Sequence, residues 1–381
     1  MEKIYTSLGL MSGTSMDGVD ASIIKSDGYG QFTNIFDEYY EFGENLQKKL
    51  IKLRNQILEK TDLITFSDEL KDLEREITIL HSEIVNKILL NYKGEVDFIG
   101  FHGQTIFHNA NLKISRQLGD GKLLSQLVKK TVVYNFRQND LENGGQGAPL
   151  VPIFHNLLAN IIHKKFNINF PLNILNIGGI SNITKTVSET DILKHNIEAC
   201  DIGPGNVLID EWIRCNSNKK IDLDGLIGKS GKINELVLNQ AIENFSNVSL
   251  EKSLDVKDFD ISFAKGLSLE DGCATITNFT AYLISEGIKL FNKNNENIAS
   301  KYLICGGGRK NNFLLENIKH YLNDNNINLE PIDSYSIDGD YVESQAFAYL
   351  AIRSFLKLPI SFPETTGCKK SCPGGVIIKN Y

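Results

Sequence analysis

Short apolar runs recur along the chain, and each breaks abruptly into glycines, hydroxyl residues or a lone acid. Ile4–Leu10 and Val19–Ile24 read as two strands joined by the turn "SGTSMDG". "VDFIGF" (Val96–Phe101) predicts a third strand, with "HGQT" as the loop after it, and "KTVVYNF" (Lys130–Phe136) predicts a fourth that ends in a long glycine-rich loop. Between them Leu73, Ile77, Leu80, Ile84 and Ile88 recur at helical spacing. "VPIFHNLLANIIHKKF" predicts a helix with Pro152 near its first turn, where a missing N–H is tolerated. Further on, "LNILNIGGISNIT" reads as strand, turn, strand, and "ACDIGPGNVLIDEWI" as strand, tight loop, helix. "KYLICGGGRKNNFLLENIKHYL" reads as strand, triple glycine, helix. Strands alternate with helices and glycines gather where strands end, which is an α/β pattern with ligand loops at the carboxyl ends of strands.

A weak internal echo sharpens this. "LGLMSGTSMDGVDAS" and "LNIGGISNITK" both set a small polar turn between two apolar strands, as a duplicated unit would. The 381 residues suffice for two domains, and no Pro/Gly-rich or charged tract marks a linker between them. A hydrophobic content of 41% with a net charge of −7 is that of a globular protein and argues against a nucleic-acid partner. No apolar stretch has membrane-spanning length, and the first residues lack the pattern of a signal region. The six cysteines are scattered, and we read them as reduced core residues of a cytoplasmic protein. The pair in "CKKSC" is one residue too wide for CxxC and has no matching partner pair, so core thiols are the expectation there.

The chemistry gathers in the turns. Backbone N–H groups of a tight turn form a concave anion site, and glycine permits close approach, so Gly13, Thr14, Ser15 and Gly18 suit phosphate oxygens. Asp17 or Asp20 could hold a Mg²⁺ that bridges phosphates. No Walker motif occurs, and "GGGRKNN" lacks the third glycine of GxGxxG. One such turn alone is a bare hairpin, whereas three in a duplicated chain point to a nucleotide. "NGGQGAPLVP" ends at a helix start, and Gln146 offers both donor and acceptor, as sugar hydroxyls require. A plain connector is an equal reading of that stretch. His102 is either a base or, more commonly, a satisfied buried histidine, and no Ser or Cys nucleophile accompanies it. Asp201, before Gly-Pro-Gly, is the sharpest candidate for a general base; its bland role is helix capping, for which Asn206 is better placed. Glu343 opens an amphipathic helix, where an acid is favourable without any chemistry.

"GLMSGTSMDGVD", "HGQTIFH", "NFRQNDLENGGQGAPLVPIFH", "LNIGGISNIT", "DIGPGNVLIDEW", "CGGGRKNN" and "VESQAFAYLA" follow one another in this order. Together they resemble the anhydro-N-acetylmuramic acid kinases, of the sugar kinase, actin and heat-shock chaperone superfamily, from about Leu8 to Gly375. The resemblance implies two RNase H-like lobes flanking a deep active-site cleft. The first would span 1–135, completed by the C-terminal segment, and the second 136–381. It implies ATP held by Gly13, Thr14, Ser15, Met16, Asp17, Gly18, Val19 and Asp20, by Gly178, Gly179 and Asn182, and by Gly306, Gly307, Gly308 and Asn311. Mg²⁺ would sit at Asp17 and Asp20. On the sugar side it implies His102, Gln104, Arg137, Gln146, Gly147, Gly203 and Asn206.

Enzymes of that family open the 1,6-anhydro ring of anhydro-N-acetylmuramic acid with water and phosphorylate the freed O6, in the recycling of cell-wall peptidoglycan. The resemblance makes Asp201 the base for that water and puts Glu343 near the reacting centre. The chain departs from the family pattern at Asn135 (usually Asp), at Phe107 (usually Arg), and over "KSLDVKD" (Lys252–Asp258, usually "KSTGRE"), which bears on substrate preference. Alternatives are a kinase of a free amino sugar, with Asp201 deprotonating a hydroxyl, or a non-enzymatic ATP switch of the actin or chaperone type. The motifs run to the end of the chain, which argues against the extra domain a chaperone needs. A homodimer is compatible with all of these.

Overall fold

The computed structural model describes residues 3–188, 197–245, 254, 256–293, 300–322 and 326–379. Its strands are β1 (Tyr5–Ser12), β2 (Gly18–Ser26), β3 (Phe32–Glu41), β4 (Phe98–Asn109), β5 (Ile114–Leu118) and β6 (Thr131–Tyr134), then β7 (Leu172–Ile177), β8 (Ile180–Lys185), β9 (Glu198–Pro204), β10 (Ser300–Cys305), β11 (Ile327–Pro331) and β12 (Val376–Ile378). The chain divides into a first unit, 1–158 with 341–381, and a second unit, 159–340. The division falls later than the 135/136 boundary expected from the motifs, because the glycine-rich loop after β6 and the start of the helix Pro152–Phe166 stay with the first sheet.

The echo heard in the sequence is a repeated topology. In the first unit the strands lie in the order β12-β6-β4-β1-β2-β3, with β5 paired to β4, and in the second in the order β11-β10-β7-β8-β9. Each sheet is an antiparallel meander, β1-β2-β3 or β7-β8-β9, extended from its first strand by two parallel strands. This is an α/β fold of two RNase H-like units. β1 and β7 are buried along their whole length, as strands covered on both faces are.

Close backbone packing sets the first unit. A Cβ on Gly9 of β1 would lie 1.9 Å from the Ser344 carbonyl oxygen, and one on Gly100 of β4 would lie 2.2 Å from that of Phe347. Glycine at both positions lets the helix Val342–Phe355 rest directly on the sheet, and almost all of that helix is buried. In the second unit the helix Leu269–Asn292, capped by the Ser268 hydroxyl accepting from Asp271 N at 3.1 Å, is buried on most of its length against β9 and the neighbouring helices. Gly272 there lies under the Trp212 ring.

Two segments differ from the sequence reading. β4 does not stop at Phe101 but runs through "HGQT", with Gly103 at φ +74° in an irregular stretch of the ladder, so these residues stand in a strand and not a loop. β9 likewise extends to Pro204. Of "KSLDVKD", Lys252, Ser253 and Asp255 lie outside the described residues, as do residues 294–297 of the Asn-rich patch. No helix among the described residues is long and apolar enough to cross a membrane.

Candidate active site

In the first unit β1, β4 and β6 run parallel, so the chain leaves β1 and β6 at one edge, level with the "HGQT" stretch of β4. The turn after β1 closes with Met16 N donating to the Gly13 carbonyl at 3.2 Å. Met16 takes a left-handed φ of 56° and is fully buried, so it plugs the turn into the apolar core while Thr14 and Ser15 stay exposed. Arg54 Nη1 donates to the Thr14 carbonyl at 3.1 Å, and Gln104 Nε2 to the Gly13 carbonyl at 2.9 Å. Gln104 is thus tied to the turn through its amide nitrogen, and its buried Oε1 has no hydrogen-bond partner among the described residues. Val19 is core, and a Cβ on Gly18 would strike the Tyr39 ring at 2.5 Å.

Asp17 accepts the Ser15 hydroxyl at 2.5 Å and is half-buried, as is Asp20. Both charges act on Tyr39, whose phenol is pushed well above its ordinary value by burial first and then by Asp17, Asp20 and Glu41. Both are carboxylates, the oxygen ligands that a hard divalent cation takes.

The His102, Arg137 and Gly147 motifs converge on one guanidinium. His102 Nδ1 donates to the Gly103 carbonyl at 2.7 Å, which leaves Nε2 to accept from Arg137 Nε (3.2 Å) and Nη2 (3.0 Å). Arg137 Nη1 donates to the Gly147 carbonyl at 2.8 Å. Burial, and then the Arg137 charge, hold the imidazole well below its ordinary pKa. His102 is therefore a neutral, fully engaged support for Arg137. A base would need the lone pair that Arg137 occupies.

Arg137 also lowers Glu343, but burial outweighs it and the Glu343 carboxyl is raised. A cavity of about 400 Å³ opens beside His102, lined by Arg116, Gln117, Asn135 and Gln138 among others. Asn135, one departure from the family pattern, lines this cavity at φ 55°, a conformation in which Asn is among the best-tolerated residues. Phe107, the other, is buried in the apolar core.

The Gly144–Gly147 loop is built on Asp140, which the sequence reading did not single out. Gly147 N donates to Asp140 Oδ2 at 2.6 Å, and a Cβ on Gly145 would overlap that carboxylate. Gln146 N donates to the Thr366 carbonyl at 2.8 Å.

In the second unit β7, β9 and β10 end at one edge. Gly205 N donates to the Gly179 carbonyl and Asn206 N to that of Gly178, both at 2.8 Å. A Cβ on Gly205 would lie 2.0 Å from the Gly178 oxygen, so the two turns interlock. Gly306 and Gly308 pack onto Ile177 and Asn176 with no room for a side chain, whereas Gly307 faces open space near Asn206. Asn206 precedes the helix Val207–Asn216 but makes no side-chain cap, contrary to expectation, because its φ and ψ are already helical. Asn311 is a cap, accepting from Leu314 N at 2.9 Å.

Arg309, next to the glycines, donates to Asp333 (2.7 and 2.9 Å), Asp338 (3.2 Å), Asp340 (2.5 Å) and the Gly306 carbonyl (3.1 Å). It fastens the triple-glycine turn to the acid-rich stretch beyond β11, and the only sequence signal for this was those three Asp residues together. Asp201 lies within β9, paired with Asn182 of β8, and is 7% exposed. Its Oδ2 accepts from Leu254 N at 2.9 Å. It does not cap a helix. Ser181, beside Asn182, donates to the Pro204 carbonyl at 3.0 Å, which ties β8 to the Gly203–Asn206 end of β9.

The family model for anhydro-N-acetylmuramic acid kinase matches residues 5–380. An anhydro-N-acetylmuramic acid kinase of Pelagibacter ubique is 54% identical over the whole of both chains. Another from Zymomonas mobilis is 36% identical, covering 97% of this chain and 98% of its own. Among solved structures, the activator of 2-hydroxyisocaproyl-CoA dehydratase from Clostridium difficile aligns over 91% of this chain and 94% of its own, at 12% identity and a TM-score of 0.40.

Proposed function

The chain belongs to the anhydro-N-acetylmuramic acid kinase family and is a phosphotransferase, and we propose that it opens 1,6-anhydro-N-acetylmuramic acid with water and transfers the γ-phosphate of ATP to O6. The observation that carries the reading is Asp201, a buried carboxylate in a sheet strand whose Oδ2 accepts from the Leu254 N–H. A carboxylate is the acceptor type that can take a proton from an attacking water. Asp201 takes a proton as the water oxygen bonds to C1, the C1–O6 bond breaks with its electrons on O6, and O6 displaces ADP from the γ-phosphorus. Water and phosphate both end on the product, N-acetylmuramic acid 6-phosphate.

The turn at Gly13–Asp20 and the glycines at 178, 179 and 306–308 bind the nucleotide, with backbone N–H groups directed at phosphate oxygens. Asp17 and Asp20 hold Mg²⁺, which when bound screens the phosphate charge. Arg137, braced by His102 and Gly147, orients the sugar with Gln146, and Glu343 stands by as a carboxyl that burial keeps toward its neutral form. A cytoplasmic role in cell-wall recycling, and homodimerisation, belong to the same proposal.

The test is product mass and isotope content, with ATP, Mg²⁺, the anhydro sugar and ¹⁸O-labelled water. The expected product gains phosphate plus one labelled oxygen at C1, and Asp201→Asn slows turnover by about 10²–10⁴-fold with little change in ATP affinity. Phosphorylation of a free amino sugar without label, ATP hydrolysis independent of sugar, or normal turnover by Asp201→Asn each overturns the proposal.

A further inference from the structure

The thiols of Cys368 and Cys372 lie within 4.8 Å of one another and of a carboxylate oxygen of Asp140, and all three residues are at least 95% buried. "CKKSC" lacks a second cysteine pair, but the fold supplies a third donor from the far end of the unit. A fourth polar residue is paired with Cys372 through the backbone. Ser361, 1% exposed, bridges Cys372 across an isolated ladder contact, and its hydroxyl has no hydrogen-bond partner among the described residues. Both cysteines are free.

We propose that Cys368, Cys372 and Asp140 form a structural site for a thiophilic divalent metal of the zinc class, with the fourth position filled by the Ser361 hydroxyl or a water. A zinc–sulfur bond of about 2.3 Å in tetrahedral geometry puts ligand atoms roughly 3.5–4 Å apart, so the observed spacing closes onto an ion with sub-ångström movement. A cysteine thiol must give up its proton to ligate a metal. Binding therefore releases two protons and makes two metal–thiolate bonds. The three anionic donors exceed the ion's charge by one, and two exposed lysines, Lys369 and Lys370, lie between the cysteines in the chain. Asp140 keeps lone pairs for the ion while it accepts from Gly147 N and from Thr366 Oγ1, both at 2.6 Å.

The site would also hold the Gln146–Gly147 loop from below, since Lys369 N donates to the Asn143 carbonyl and Gln146 N to that of Thr366. Only this last consequence rests on the sugar-side reading of the loop.

The full chain, reduced and stripped with chelator, is titrated with Co²⁺ alone, without sugar or nucleotide. The expected result is a sulfur-to-cobalt charge-transfer band with tetrahedral ligand-field bands, saturating at about one equivalent and displaced by Zn²⁺. Cys368→Ser and Cys372→Ser should each abolish the band, and Cys215→Ser, at an exposed thiol, should keep it. The wild-type titration decides the matter even if a variant fails to fold. No thiolate band in the wild type, a band that survives both cysteine variants, or a Cys368–Cys372 disulfide in protein that after reduction binds no cobalt overturns the site. Because the readout involves no catalysis, its failure is separable from failure of the kinase reading.

Discussion

Four imidazoles of the first unit, His81, His102, His108 and His155, are held below their ordinary pKa by burial, which makes acid a selective probe of that unit. His81 is lowered to about 4 and His155 to about 3, against 6.5 when exposed. The sign follows from proton uptake. Below pH 6.5 the unfolded chain takes up protons that the folded unit refuses, so stability falls with pH until the folded values are reached. For His81 and His155 the loss is near zero at pH 7 and about 2 kcal/mol each at pH 5. His102 and His108 add losses of the same sign. Glu343 works the other way, because its raised carboxyl costs stability at neutral pH and that cost is relieved on acidification. The net loss is a large fraction of the ~5–15 kcal/mol that usually holds a domain.

Among its described residues the second unit buries no histidine, since His163 is half-buried and His320 exposed. It does carry the single tryptophan, Trp212. Acidification toward pH 5 should therefore reduce far-ultraviolet circular dichroism before Trp212 fluorescence changes, and His155→Gln should move the first transition to lower pH. Coincident transitions, or full ellipticity retained at about pH 4, would refute the chain of reasoning from buried neutral imidazoles to acid lability.

Other perturbations test the backbone contacts around the proposed site. Gly9→Ala drives a methyl into the Ser344 carbonyl and should cost about 3 kcal/mol or more, read as a loss of melting temperature or of soluble protein, with an unchanged melt as the disproof. Arg309→Lys keeps the charge but cannot serve Asp333, Asp338, Asp340 and the Gly306 carbonyl together. ATP affinity measured by calorimetry should fall about tenfold, or ~1.4 kcal/mol, and equal affinity would show that the triple-glycine turn needs no such anchor.

The architecture was legible because strand-then-glycine punctuation is a local signal, and the topological repeat is visible as the echo between Leu8–Ser22 and Leu175–Lys185. The limits were misjudged where glycine did not mean a turn. Gly103 sits inside β4, where a loop was expected. The candidate site was legible as motifs but not as a network. Nothing in the spacing announces that His102, Arg137 and Gly147 share hydrogen bonds, or that Asp140 carries the Gly147 loop, since those pairings are made by the third dimension alone. Gln104 and Asn311 turned out to spend polar groups on the protein itself, as short polar side chains beside turns and helix starts commonly do.

The helix Val342–Phe355 belongs to the sheet that contains the first strand of the chain. On the ribosome, then, the segment made first waits longest. β1, β2 and β4 lack their covering helix until the intervening, contiguous 159–340 stretch has already emerged. Synthesis order and completion order are reversed, and the nascent amino-terminal sheet depends on whatever shields its apolar face until the last residues arrive.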